Sequence, residues 1–436
     1  MDKKIFKSKK VLIMGLGLHG GGVGVAKFFC KQGAEVLVTD LKTDLQLEES
    51  LDKLKGLKIK YVLGGHREVD FLWPDLIIKN PDVPSTSPYL EIAQRNHISI
   101  ETDVDLFLKL SKAFSIGVTG TKGKSTTASL IYHILRQKNR RTFLAGNIGV
   151  SPLELLTKVK KGDKVILELS SFELEGLSQS PNIAVITNIM PDHLNRYGTM
   201  DEYIRAKTFI FKYQTDKDHL VLNEDDLIVR QFAEKAPSKI SYFSKNSFLK
   251  NIDLGGFRLA GEHNLYNLAA ALKVAEILKI PAKIIEKAIK TFKGVASRQE
   301  LVGEFNNVKY YNDTTATMPE AVIAAINAFF EKGNLILICG GVNKGLKYDE
   351  LAKAIKEKVR ETVLLPGTAS DRIKENLVGY NNLHPVMSME DAVAKARDLA
   401  GPGDIVVLSP GGASFNLFQN EFDRGRKFVE AFKNLK

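Results

Sequence analysis

The sequence predicts three α/β domains in series, and three observations carry that reading. At 436 residues the chain is too long for one ordinary hydrophobic core. Short β-branched apolar runs alternate with amphipathic stretches in each third of it, the pattern of parallel strands wrapped by helices. Several of those runs end in glycine or another small residue, where open parallel sheets take their ligands.

The first third runs VLIMGLG, GVGVAKFFCKQG, EVLVTD, DLIIKNPDVP, a βαβ pattern. The segment NPDVPSTSP carries three prolines and reads as a loop, and YLEIAQRNHISIETDVDLFLKL then gives a helix, a strand and a helix. A first domain is placed at residues 1–101. The middle third opens with the strand FSIGVTG and the helix KSTTASLIYHILRQ and adds the strands KVILELS and IAVITNI. It continues through GEHNLYNLAAALKVAEIL to VASRQ, giving a second domain at 102–297. The last third, 298–436, repeats the theme with NLILICGG, ETVLLPG and DIVVLSPGG.

Composition narrows the function classes. Hydrophobic content of 44% with 26% charged residues fits a globular protein, and no apolar run approaches the length of a membrane span. The basic start MDKKIFKSKK is followed by VLIM, which Gly15 and Gly17 cut short, so it reads as a strand rather than a signal sequence. A cytoplasmic location is expected. The two cysteines, Cys30 and Cys339, lack a partner at metal spacing, which argues against a disulfide framework or a zinc site. The net charge of +11 is spread along the chain among Asp and Glu, so a solvated surface is favoured over nucleic-acid binding. Small polyanions such as nucleoside phosphates suit the same positive field.

Chemistry concentrates in Gly120-Thr121-Lys122-Gly123-Lys124-Ser125, which follows a β-branched strand and opens a helix with Leu130, Ile131, Ile134 and Leu135 at helical spacing. Glycines let backbone N–H groups close round phosphate oxygens and the helix N-terminus adds partial positive charge. Lys124 supplies a full charge, and the Ser125 hydroxyl can hold Mg²⁺. Val118 stands where the strict P-loop pattern has glycine, so the loop is a shorter GTxGKS form. A plain strand-turn-helix joint has no use for Lys-Ser-Thr-Thr at the mouth of an apolar helix.

Two further strand ends follow, VILELSSFELE and VITNIMPDHLNRYG. Glu168 lies inside an apolar run and needs a cation or a hydrogen-bonding neighbour; Mg²⁺ shared with Ser125 and phosphate is one answer and a structural ion pair the other. His193 gains interest only from its place at the end of the next strand. Lys207, in YIRAKTFIF, reads by itself as a snorkelling helix lysine. At the N-terminus, Gly15, Gly17 and Gly20 satisfy GxGxxG, and Asp40 ends the next strand 20 positions beyond Gly20, which taken alone indicates a nicotinamide dinucleotide.

TGTKGKSTT, ELSSFELE, NIMPDHLNRYG, the lysine of YIRAKTFIF and GEHNLYN occur in the order of the Mur ligases, and the chain resembles that family over essentially its whole length. The resemblance implies a Rossmann-like UDP-binding domain, a central P-loop ATPase-type domain with a parallel sheet, and a C-terminal Rossmann-like domain for the incoming amino acid. The stretch RQELVGEFNNVKYYNDTTATMPE and the ending SPGGASFNLFQNEFDRGRKF look most like the branch that adds D-glutamate to UDP-N-acetylmuramoyl-L-alanine. The chain lacks the Asp-Asn-Pro-Arg signature of the diaminopimelate-adding branch and the paired histidines associated with the L-alanine-adding one. The N-terminal fingerprint then serves a UDP diphosphate, with the acid on a sugar hydroxyl or base edge, and both glycine loops are used on separate nucleotides.

Carried over by position, the resemblance implies catalytic roles for Lys124, His193 and Lys207. It places ATP on Gly120, Thr121, Lys122, Gly123, Lys124, Ser125, Thr126, Asn147, Asn264, Asn267, Arg298 and Asp313, with the two late asparagines on adenine. Two Mg²⁺ ions fall to Ser125, Glu168, His193 and a carbamylated Lys207, and the UDP-substrate to Gly15, Leu16, Gly17, Leu18, His19, Asp40 and Asn80. Lys344, Ser414, Phe415 and Phe422 match the amino-acid pocket. Two departures touch that pocket: Thr315 stands where some members carry lysine, and Phe422 falls one place along in the final helix. The implied reaction passes through an acyl phosphate that the D-glutamate amine attacks, in a monomeric enzyme whose partners are small molecules only. Rival readings are another Mur-type amino-acid ligase, a nicotinamide-dependent dehydrogenase, or an ATP-dependent regulatory protein.

Overall fold

The computed structural model describes residues 4–18, 20–248, 252–253, 256–257, 259, 261–330, 334–343, 345–414 and 417–435. It contains three α/β sheets, distributed over two compact units: Met1–Leu254 with Tyr266–Ile289, and Gly255–Leu265 with Lys290–Lys436.

The first unit holds two all-parallel sheets. Strands β1 (Lys10–Met14), β2 (Glu35–Asp40), β3 (Ile59–Leu63), β4 (Leu76–Lys79) and β5 (Ser99–Glu101) lie in the order β3-β2-β1-β4-β5. Val11, Leu12, Ile13 and Met14 are all buried, which is why β1 is a continuous apolar run rather than an alternating one: both faces of the sheet are covered. Strand order reverses between β1 and β4, so the loops leaving these two strands frame a crevice. The second sheet comprises β6 (Phe114–Thr119), β7 (Thr142–Gly146), β8 (Lys164–Glu168), β9 (Ile183–Ile186), β10 (His219–Asn223) and β11 (Lys239–Phe243). Their order is β11-β10-β9-β6-β8-β7, so β6 sits between β8 and β9. The helix Lys124–Lys138 buries Ala128, Leu130, Ile131, Ile134 and Leu135, each large side chain contributing about 1.5–3 kcal/mol by removal from water. One apolar core runs through both sheets, from Val11 and Phe29 to Val165 and Phe211. Between the sheets the helix Asp103–Leu110 starts where Thr102 Oγ1 accepts the Asp105 N–H at 3.1 Å.

The second unit carries β12 (Glu300–Phe305), β13 (Val308–Asn312), β14 (Leu335–Gly340), β15 (Glu361–Leu365), β16 (Leu383–Pro385) and β17 (Ile405–Gly411), in the order β12-β13-β17-β14-β15-β16. The pairings are parallel except at one edge, where β12 runs antiparallel to β13. This hairpin adds to the Rossmann-like expectation, and its cause is local. Asn306 and Asn307 adopt φ of 50° and 61°, the positive angles a two-residue type I′ turn requires and asparagine tolerates. Among the described residues no helix is long and apolar enough to cross a membrane.

Candidate active site

Strand β6 delivers the chain to Gly120, and the helix Lys124–Lys138 carries it away. Gly120 (φ +148°) and Gly123 (φ +83°) hold angles that side chains rarely adopt, and a Cβ on either would collide with Thr187 Oγ1 or Asn267 Oδ1 respectively. The loop is braced from β9: the Thr121 N–H donates to the Asn188 carbonyl at 2.9 Å and the Lys122 N–H to Asn188 Oδ1 at 2.9 Å. Lys124 curls back over the loop, its Nζ donating to the carbonyls of Gly120 at 3.0 Å and Thr121 at 3.1 Å. Thr126 sits half-buried in the first helical turn. A cation laid over a glycine loop at a helix N-terminus is an anion receptor.

Behind the loop lies Glu168, 1% exposed, at the end of β8. Its Oε1 accepts from Ser125 Oγ at 2.9 Å and from Asn147 Nδ2 at 3.3 Å, while its buried Oε2 has no hydrogen-bond partner among the described residues. Leaving such an oxygen unsatisfied is costly, and a hard cation satisfies it. No three His, Cys, Asp or Glu side chains cluster for metal binding among the described residues, so a cation here would need hydroxyl or ligand oxygens beside Glu168.

Lys207 overturns its bland reading. It lies on the helix Met200–Lys212 but is 1% exposed, points at the loop with Nζ 3.1 Å from the Gly120 carbonyl, and rests 4.7 Å over the Tyr203 ring. Burial, reinforced by the Lys124 charge, holds its pKa well below that of an ordinary lysine. His193 precedes the short helix Leu194–Tyr197 with φ 53°, and its ring lies 4.8 Å from Phe172. Partial burial lowers its pKa, against the opposing pull of Asp192 and with the charges of Lys124, Lys207 and Lys122 adding to the lowering, which favours the neutral ring that can ligate. Asn267, 5% exposed, accepts from Thr127 Oγ1 at 3.2 Å. Tyr203 was missed by sequence reasoning: its hydroxyl bonds Thr121 Oγ1 at 3.0 Å, and its position one turn before Lys207 was the available signal.

In the first-domain loop the acid has a role that spacing did not show. Asp40 is 4% exposed and both its oxygens are occupied by the chain itself: Oδ2 accepts the N–H groups of Leu16 at 2.8 Å and Gly17 at 3.1 Å, and Oδ1 that of Lys42 at 2.9 Å. The acid thus shapes the glycine loop, and Oδ1, with a single N–H on it, keeps capacity for another donor. Asn80 Nδ2 donates to the Gly15 carbonyl at 3.3 Å, joining the loops after β1 and β4. Leu16 is buried and Leu18 half-buried; His19 lies outside the described residues. Beside Asn80, Lys79 is a buried lysine whose pKa burial lowers.

In the second unit, Asp313 follows β13, accepts from Ser409 Oγ at 3.0 Å and the Gln299 N–H at 3.2 Å, and is raised to about 7 by burial. Arg298 is exposed, and Asn264 is buried with its Nδ2 3.5 Å from Gln299 Oε1. Ser414 is buried, whereas Phe422 is exposed at the start of the helix Glu421–Lys433. Thr315 donates through Oγ1 to the Ser297 carbonyl at 2.9 Å. Lys344 and Phe415 lie outside the described residues. Sequence reasoning also missed Arg424, 1% exposed, which donates to Thr314 Oγ1 at 3.0 Å, Thr314 O at 2.9 Å and Gly412 O at 3.0 Å and so ties the loops after β13 and β17.

Sequence comparison supplies the lineage. Residues 9–102 match the Mur ligase MurD-like N-terminal domain, 118–275 the Mur ligase middle domain and 297–412 the Mur ligase glutamate ligase domain. The chain belongs to the Mur ligase family. The UDP-N-acetylmuramoylalanine–D-glutamate ligase of Roseiflexus sp. (strain RS-1) is 43% identical, covering 97% of this chain and 99% of the relative. The enzyme of the same name from Clostridioides difficile (strain 630) is 38% identical over 99% of each. Among solved structures, UDP-N-acetylmuramate–alanine ligase from Thermotoga maritima has a TM-score of 0.64 at 21% identity, covering 98% of this chain and 100% of that one. The Thermotoga maritima MurF ligase in complex with ADP has a TM-score of 0.60 at 17% identity, covering 99% and 96%. At such identities the likeness speaks for the fold alone. As a Mur ligase the protein is an ATP-dependent ligase that uses ATP and Mg²⁺, and the dehydrogenase and regulatory readings fall.

Proposed function

We propose that this Mur ligase joins D-glutamate to UDP-N-acetylmuramoyl-L-alanine in peptidoglycan precursor synthesis, by way of an acyl phosphate on the alanyl carboxylate. The observation that carries the reading is the charge gathered where β6, β8 and β9 end: Lys124 over the loop, Glu168 with one idle oxygen, and Lys207 buried beneath. A carboxylate is a poor electrophile, and phosphorylating it moves negative charge onto the transferring group, which positive side chains and metal ions must neutralise.

In this reading Lys124 holds the phosphoryl oxygens while the loop N–H groups orient the triphosphate. Ser125 and Glu168 would hold one Mg²⁺, and His193 with a carbamylated Lys207 a second; the ions supply charge neutralisation at the phosphoryl group. Carbamylation joins a neutral amine to CO₂ with loss of one proton, and the burial of Lys207 favours that neutral amine. The domains divide the substrates: 1–101 takes the UDP-sugar on Gly15, Leu16, Gly17, Leu18, His19, Asp40 and Asn80, with Asp40 also shaping the loop. Residues 102–297 take ATP, Asn264 and Asn267 at adenine, with Arg298 and Asp313 added from the last domain. Residues 298–436 take D-glutamate on Lys344, Ser414, Phe415 and Phe422. A monomer in the cytoplasm, where nucleotide substrates are made, completes the assignment. The test is phosphate release with ATP and UDP-N-acetylmuramoyl-L-alanine against a panel of D- and L-amino acids. Release that depends on D-glutamate alone is expected; dependence on another amino acid overturns the specificity.

A further inference from the structure

Several parts of the first unit meet at one guanidinium. Arg196 donates to the carbonyls of Pro81 and Asp82, each at 3.1 Å, on the loop leaving β4. It pairs with Glu175 at 3.3 Å and lies 4.0 Å over the face of Phe172, both in the segment after β8. Its own backbone belongs to the histidine loop, for the Arg196 N–H donates to the His193 carbonyl at 2.9 Å. The Phe172 ring is also the one beside the His193 imidazole at 4.8 Å. The β4 loop is in turn tied to the first glycine loop through Asn80 and the Gly15 carbonyl.

We infer that Arg196 is a positioning residue that couples the first-domain substrate loop to His193, so that filling the crevice between β1 and β4 sets the metal-side histidine. It touches no reacting atom; it acts by serving carbonyls, a carboxylate and a ring face at once. Only a planar fork does this, because an ammonium is a point donor on a flexible stem. The inference rests on the reading above for what fills the two ends, but the coupling itself is a property of the chain.

The experiment uses Arg196→Ala, Arg196→Lys and, as a variant that leaves the arginine in place, Phe172→Leu. Both arginine variants should raise the KM for UDP-N-acetylmuramoyl-L-alanine and the half-saturating Mg²⁺ by about tenfold, with the KM for ATP within about twofold. Non-denaturing guanidinium should partly restore Arg196→Ala, and Phe172→Leu should raise the Mg²⁺ requirement more than the UDP-sugar KM. Hydrogen exchange, read without substrates, should quicken in Arg196→Lys at residues 80–83 and 189–194 together. The coupling is overturned by exchange that quickens in only one of the two loops, or by an Arg196→Lys enzyme equal to the parent. A parent with no D-glutamate-dependent phosphate release sinks the functional reading instead, and leaves the exchange result to judge the coupling by itself.

Discussion

The two glycine loops of the first unit obey one backbone grammar and differ in what stands behind them. In the loop after β1, the N–H groups of Leu16 and Gly17 are taken by Asp40, and a buried lysine, Lys79, stands at the end of β4. In the loop after β6, a lysine lies over the loop, a second is buried against it, and a carboxylate behind it keeps an oxygen idle. The first arrangement is a preshaped cradle that binds. The second leaves the buried Glu168 Oε2 without a partner among the described residues, a cost that a stable fold avoids unless a ligand offsets it. The contrast teaches that a glycine pattern predicts a turn, and that the charges around the turn decide whether chemistry occurs there.

The largest expected effect strikes the charged loop. Lys124→Ala removes a preorganised donor to the phosphates and should lower kcat by about a hundredfold or more, as losing one strong transition-state donor does. Steady-state rates check this, and a near-parental kcat would reduce the loop to the same passive role as the first. Next comes Lys207→Arg, which sets a permanent positive charge there and cannot form a carbamate. A loss of about tenfold or more is expected, since the altered group would oppose rather than ligate a second metal ion. Carbon-13 NMR with labelled bicarbonate should show a carbamate signal in the parent that vanishes in the variant. A variant that keeps full activity returns Lys207 to a purely structural role.

The contrast also explains what was legible in the sequence. The strands of all three sheets that carry the glycine loops were readable because strands covered on both faces must be continuously apolar, as in Val11–Met14 and Ile183–Ile186. Lys124, Ser125 and Glu168 stood out because their chemistry is local to a motif. Lys207, by contrast, has a helix-surface pattern in sequence and is buried only because its helix packs over the Gly120 carbonyl, a fact of tertiary structure. Spacing pointed to Asp40 but could not show that it also shapes its loop by accepting three backbone N–H groups. The β12–β13 edge was written in Asn306-Asn307, a turn signal that the alternating α/β theme overshadowed.

Asp40→Ala sharpens the cradle side of the comparison. It strips the acceptor from the buried N–H of Leu16 and the half-buried one of Gly17, at a stability cost of about 1–3 kcal/mol, and lets the loop lose its shape. The KM for the UDP-sugar should rise by about tenfold while that for ATP stays put, because the second loop makes no use of Asp40. Equal losses for both nucleotides would mean that the two loops are not independent receptors.

The smallest effect tests whether the charged side carries a stability cost of its own. Glu173, five residues beyond Glu168, is buried, and its pKa is raised to about 8, chiefly by desolvation, with the charges of Asp103 and Glu168 adding and the Ser170 hydrogen bonds opposing. An unfolded glutamate titrates near 4.3. Between that value and about 8 the folded chain therefore keeps a proton that the unfolded chain releases, so stability falls as pH rises through this window and levels off above it. Glu173→Gln stays neutral throughout and can still accept the Ser170 N–H that the glutamate holds at 2.7 Å. The variant should match the parent in Tm near the bottom of the window and exceed it by a few degrees above the top, the difference growing with pH in between. Melting curves across that range decide it. Parallel Tm profiles for the two proteins would mean that Glu173 ionises freely where it sits, and that the cost of buried acid behind the second loop is confined to Glu168.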